Sequence, residues 1–212
     1  MSKKFVKFNS VWLFSLIIGI LVPMVSFAVA PEEFKTVMIE QLEFRPARYL
    51  GISGHGMDAD DIDANLSNIY YENGLQPLWV KLSGPGERAR DMLEAFKSAD
   101  SHGLNPENYL VDKIEKFWNS TDALGLARLD LLLTLGLREY VGDMREGRAE
   151  PRKLDPKLFA SARKAEIDFK ALREQVLSST DMKAFLDEQV PPFLQYHKLK
   201  KALKTTFYRL NA

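Results

Sequence analysis

Between Arg138 and Pro151 the chain reads REYVGDMREGRAEP, the densest concentration of informative side chains in the sequence. Glu139 and Asp143 stand four residues apart, so a helix places them on one face, where two like charges raise the pKa of one of them. An enclosed carboxylic acid of raised pKa is what glycan-cleaving enzymes use as their proton donor. Asp130, Glu139 and Asp143 are the carboxylates expected to be enclosed, because all three fall on the most apolar helix. Arg138, Arg145 and Arg148 favour a plainer outcome, a salt-bridged helix end closed at Gly147, where arginines satisfy the last carbonyls. Arg145 and Arg148 can instead fork onto a carboxylate of a partner or of a peptide stem. Arg138, Tyr140, Arg145 and Arg148, with Trp79, are therefore the candidate binding residues. Trp79, Tyr109 and Trp118 would stack on sugar rings if exposed, although aromatics at helical spacing usually belong to a core.

Other chemistry is scarce. The sequence contains no cysteine, which removes the thiolate nucleophile. No serine sits in a Gly-x-Ser-x-Gly turn, and Ser161 with Lys164 is a pattern too short to separate from chance. His55, His102 and His197 lie far apart, and none has a partner at the spacing of a zinc hydrolase. His102, before Gly103, is expected to be a charged partner of a helix C-terminus. No catalytic residue, metal site or cofactor is assigned.

These residues must be positioned by helices. Apolar positions recur with helical period in segment after segment, and only Pro77–Val80 reads as a candidate strand. Residues 31–49 suggest a short helix that Pro46 limits, followed by a glycine-rich loop from Gly51 to Gly56. Ile62, Leu66, Ile69 and Tyr70 share a face in a helix over Asp60–Tyr71. Ala89, Met92, Leu93, Phe96 and Ala99 share another, and Asn105-Pro106 opens a helix carrying Tyr109, Ile114, Phe117 and Trp118. Ser120 or Thr121 is expected to cap the longest helix, Asp122–Glu146, apolar around most of its girth from Leu126 to Leu137. Glu150–Ala165 reads as a surface connection. Asp168 and Asp181 cap two further helices, and a last one over Phe193–Leu210 presents Tyr196, Leu199, Leu203, Phe207 and Leu210. The expected fold is all-α, a compact multi-helix bundle around one long central helix.

The N-terminus reads as an export signal. Lys3, Lys4 and Lys7 precede an apolar run from Val11 to Val25, and small residues follow at Ser26, Ala28 and Ala30. The run is short for a bilayer span and contains Gly19 and Pro23, so no stable span is expected after cleavage. Cleavage after Ala28 is preferred, because cleavage after Ala30 would leave Pro31 beside the scissile bond. A signal peptide over 1–28 and one helical domain over 29–212 are the expected divisions, with a periplasmic location. Basic and acidic side chains balance at 29 each. Losing the three signal lysines moves the charge to about −3, which gives no case for nucleic acid.

Four segments carry a resemblance. They are Tyr71 through Trp79; Ala99 to Tyr109 (ADSHGLNPENY); Asp130 to Pro151, with its DLLLT, Tyr140 and Arg145-x-Gly147-Arg148-x-x-Pro151; and Pro191-Pro192, Tyr196, Leu199 and Ala202-Leu203. In this order they resemble the helical scaffold domain that precedes the catalytic domain of large periplasmic L,D-transpeptidases. The resemblance implies an all-α fold and a link to peptidoglycan cross-linking. The complete enzymes use a cysteine in a following domain, so no catalytic residue carries over. The expected function is that of an exported, non-enzymatic scaffold or accessory protein in cell-wall remodelling. Its expected partner is an L,D-transpeptidase, another envelope protein or peptidoglycan itself. A truncated, inactive transpeptidase and a glycan-cleaving enzyme using Glu139 are the alternatives.

Overall fold

Nine α-helices form the described part of the chain. The computed structural model describes residues 28–55, 57–148, 155, 157–158 and 167–210, the last four by backbone alone. The segment expected to be an export signal, up to residue 27, and Pro151, Pro156, Ser161, Lys164 and the side chains of Phe207 and Leu210 lie outside the described residues.

The helices are α1 (Pro31–Glu43), α2 (Pro46–Leu50), α3 (Ala59–Glu72), α4 (Glu87–Lys97), α5 (Val111–Phe117), α6 (Ala123–Glu146), α7 (Phe169–Ser178), α8 (Met182–Glu188) and α9 (Leu194–Leu210). Single 3₁₀ turns at Ala99–His102 and Pro106–Tyr109 link α4 to α5. The expected strand is reduced to an antiparallel pair, β1 (Val80–Lys81) with β2 (Gly84–Pro85).

The centre is α6, with α1, α4 and α5 packed on it. Leu126, Leu129, Leu133 and Leu135 are wholly buried, as an apolar girth demands of a helix surrounded by others. Two glycines let neighbours approach its backbone. A Cβ on Gly136 would lie 2.9 Å from both the Phe96 ring and the Tyr109 carbonyl oxygen. A Cβ on Gly142 would lie 2.5 Å from the His55 ring. Helix propensity is given up at these two points so that other elements can close on α6.

Several boundaries differ from the sequence expectation. Asp122, not Ser120 or Thr121, caps α6, its carboxylate accepting from the Gly125 amide at 2.9 Å. Pro46 does not merely limit a helix; it opens α2, where its missing N–H costs nothing. The segment after Asn105 is a 3₁₀ turn and a separate helix, because Leu110 takes a left-handed φ of 62° between them. Gly147 ends α6 at φ 73° and ψ 165°, an extended backbone open to glycine rather than the left-handed helical one expected.

Candidate functional site

The carboxylates of the α6 C-terminal half are enclosed, and their partners come from α6 itself, from just past its end and from two other segments. Tyr109 donates its hydroxyl proton to Asp143 Oδ2 at 2.8 Å, and Arg148 donates to the same oxygen at 2.8 Å. His55 Nε2 lies 3.3 Å from Asp143 Oδ1 and 3.9 Å from Glu139 Oε2, with its ring seated against Gly142. Burial would raise the Asp143 carboxyl, but hydrogen bonds from His55, Tyr109 and Arg148 hold it below the usual carboxylate range. Arg138 is wholly buried; it pairs with Glu139, donates to the Gly54 carbonyl at 2.6 Å, and lies 5.6 Å from the Phe169 ring centroid. A buried guanidinium needs such satisfaction, and here it fastens the His55 loop and the start of α7 to α6. Among the described residues, His55 Nδ1 and Arg138 Nε are buried without a hydrogen-bond partner.

His55 therefore has carboxylate partners that its sequence spacing concealed. The contact resembles a base and its orienting acid, but the ring is only 3 % exposed, and Asp143 Oδ2 is already engaged by Tyr109 and Arg148. Glu139 is enclosed as expected and is paired with Arg138. Among the described residues no group of three or more His, Cys, Asp or Glu is arranged to hold a metal ion.

The other nominated residues are internal ties. Arg145 donates from Nε to Gln189 at 2.8 Å and from a terminal nitrogen to Gln175 at 3.3 Å, joining α6 to the ends of α7 and α8. Tyr140 is buried between Phe96 and Tyr109, at ring separations of 5.5 and 5.2 Å, and burial lifts its phenol to about 12. The idea that Trp79 and Tyr109 offer exposed platforms for sugar rings is corrected: both are buried. Trp118 is half-buried.

Trp79 belongs to a second knot, centred on Asp130. This wholly buried carboxylate accepts the Leu78 amide at 3.0 Å and the Trp79 and Val80 amides at 2.9 Å each. Tyr70 donates its hydroxyl to it at 2.6 Å, and the Trp79 indole N–H reaches Thr134 Oγ1 at 2.7 Å. Burial pushes the Asp130 carboxyl up, while Tyr70 and the three amides pull against that rise. The knot answers where the buried amides of residues 78–80 find acceptors, since the short β1 cannot supply them.

A third tie holds α9. His102 Nδ1 bonds the Tyr196 hydroxyl, and Lys200 Nζ lies 2.9 Å from His102 Nε2. Burial, then the Lys200 charge, lowers the His102 pKa from 6.5 to about 4. The ring is thus neutral near pH 7, Nδ1–H donating to Tyr196 and Nε2 accepting from Lys200. This corrects the expectation of a charged helix-end histidine.

Sequence reading missed a groove altogether. Its floor is the α6 stripe of Arg128, Leu131, Leu132 and Leu135, and its volume is about 460 Å³. One wall runs from Phe44 through α2, with Tyr49 and Leu50; the other is α5, with Lys113, Lys116 and Phe117. Phe44 and Tyr49 are 72 % and 85 % exposed. The available signal was the pair of aromatics flanking Pro46, which fit no buried helical face.

The four segments on which the resemblance rests thus meet in space. Tyr70 to Val80 is fastened by Asp130 and Thr134, Tyr109 by Asp143, and His102 by Tyr196. A Cβ on Gly103 would sit 3.7 Å from Leu203. No curated protein and no solved structure matches the chain. The family model described as "Scaffold domain" matches residues 64–203, the span that contains every one of these ties. The chain belongs to that family, the scaffold domain of L,D-transpeptidase type.

Proposed function

We propose that this is an exported, non-catalytic scaffold or accessory protein of peptidoglycan cross-linking and cell-wall remodelling. It works by binding an L,D-transpeptidase, another envelope protein or peptidoglycan. The observation that carries the reading is the use to which the family segments are put. Their polar side chains close on one another, as Asp130 does on the Trp79 segment and Asp143 on Tyr109. A domain whose informative residues are spent on its own architecture acts through its surface. Glu139 is committed to Arg138, and the groove lies elsewhere on α6, which weakens the glycan-cleaving alternative.

Cleavage after Ala28 fits the packing at the start of the described chain. Val29 is buried and donates its backbone N–H to the Leu82 carbonyl at 2.9 Å, so a cut after Ala30 would remove a core residue. Among the described residues no helix is long and apolar enough to cross a membrane. The test is fractionation of cells expressing a C-terminally tagged chain, then crosslinking in the envelope and co-sedimentation with purified sacculi. A periplasmic, processed chain retained by sacculi or crosslinked to an envelope protein is the expected result. A cytoplasmic chain, or an exported one that engages neither, rejects the proposal.

A further inference from the structure

We propose that the groove between α2 and α5 is a docking site for an acidic segment of a protein partner, one that lays apolar side chains against the α2 wall and carboxylates along α5. The inference rests on the binding role proposed above and names the surface and the chemistry of the partner.

The groove combines an apolar interior with positive charge left uncompensated. Leu50, Phe117, Leu131, Leu132 and Leu135 supply apolar lining, and Lys113, Lys116 and Arg128 are its charged residues; no carboxylate lines it. Arg128 donates to neutral Gln41 and lies 5.7 Å from the Phe117 ring centroid. Lys116 lies 5.7 Å from the same ring. Among the described residues none of these three cations has an ion-pair partner, and the groove itself offers them no carboxylate. Cations held beside apolar surface without counter-charge select an anionic occupant, and apolar side chains are needed to fill the space between them.

The aromatic wall is built rather than incidental. Arg45, before α2, holds a left-handed φ of 51°, a strained choice for a residue with a side chain. Buried Asp63 of α3 accepts the Ala47 and Arg48 amides at 2.7 and 3.0 Å, capping α2 from a distance. A single helical turn is thus clamped by a buried carboxylate while presenting Tyr49 to solvent. Strain and burial spent to hold an exposed aromatic point to a surface in use.

The test uses the chain, a fluorescein-labelled peptide with a leucine-phenylalanine-leucine centre flanked by glutamates, and companion peptides with glutamine or lysine flanks. Fluorescence anisotropy should show saturable binding of the glutamate peptide, weaker binding of the glutamine form and none of the lysine form. The K113E/K116E and F44S/Y49S variants alter exposed side chains, so circular dichroism should be unchanged while affinity falls roughly tenfold or more. Added salt should weaken binding of the wild type and matter little to K113E/K116E. Absence of saturable binding, or equal affinities for the lysine and glutamate peptides or for wild type and K113E/K116E, overturns the proposal. So does a groove-dependent dimer in sedimentation velocity that F44S/Y49S dissolves, or sacculus binding lost in K113E/K116E without peptide binding. Envelope partners captured equally by wild type and K113E/K116E would leave the scaffold role standing and remove the groove from it. Groove-dependent peptide binding by a chain that is never exported would do the reverse.

Discussion

His102 shows how a residue changes its meaning when its neighbours are known. As a helix-end histidine it would be cationic, but half-burial beside Lys200 keeps it neutral, with a pKa of about 4 against an ordinary 6.5. The unfolded chain therefore binds a proton on this ring between pH 6.5 and 4 that the folded chain refuses. Its contribution to stability is complete above pH 6.5 and is lost as pH falls towards 4, with the nearby Asp100 and Asp187 charges opposing the loss and Lys200 adding to it. Denaturant midpoints at the two ends of that window should differ less in His102→Gln than in the wild type; equal pH dependence would remove the ring from this role. Arg145 and Arg148 make the complementary case. Their bonds to Gln189 and Asp143 predict that R145A/R148A lowers stability by about 1–3 kcal/mol and leaves groove binding per folded molecule unchanged. A well-folded double variant that loses binding would return these arginines to the functional surface. The identities of both arginines were legible in the sequence; their partners, 44 and 5 residues away, were not.

At the scale of elements, α6 carries the fold. Replacing Leu129 or Leu135 by alanine should cost about 2–5 kcal/mol, since each is wholly buried in the helix that others surround. A chemical denaturation curve unchanged in both variants would contradict the central position of α6. Gly142 offers a sharper measurement. Gly142→Ala must push against the His55 ring, so it should destabilise despite its better helix propensity, and His55→Gly should relieve much of the loss in a double-mutant cycle. The long apolar period made α6 readable, because a helix buried on every side needs no tertiary information to show itself. The caps were harder: Ser120, Thr121 and Asp122 are all good cap residues, and only the backbone shows that Asp122 accepts the Gly125 amide. The break at Leu110 was invisible, because nothing in a leucine announces a positive φ.

For the whole molecule, the shared ties predict that the described helices melt together. The Asp130, Asp143 and His102 knots each join segments distant in sequence, so calorimetry should show one cooperative transition; two separated ones would mean α9 or the α2–α3 region folds alone. The absence of cysteine predicts no L,D-transpeptidation by this chain and no covalent carbapenem adduct in intact mass, because no thiolate is present to be acylated. The sequence by itself determined the all-α class, the central helix and the family, because apolar period and motif order are properties of the chain read locally and in order. Tertiary structure alone decided what the motif residues do. Hydrogen bonds such as Tyr70 to Asp130 and Tyr109 to Asp143 join residues 60 and 34 positions apart, and no local pattern encodes such pairings. It alone also formed the groove, whose aromatic wall of α2 and cationic wall of α5 are distant in sequence and acquire a shared purpose only once packing brings them along one stripe of α6.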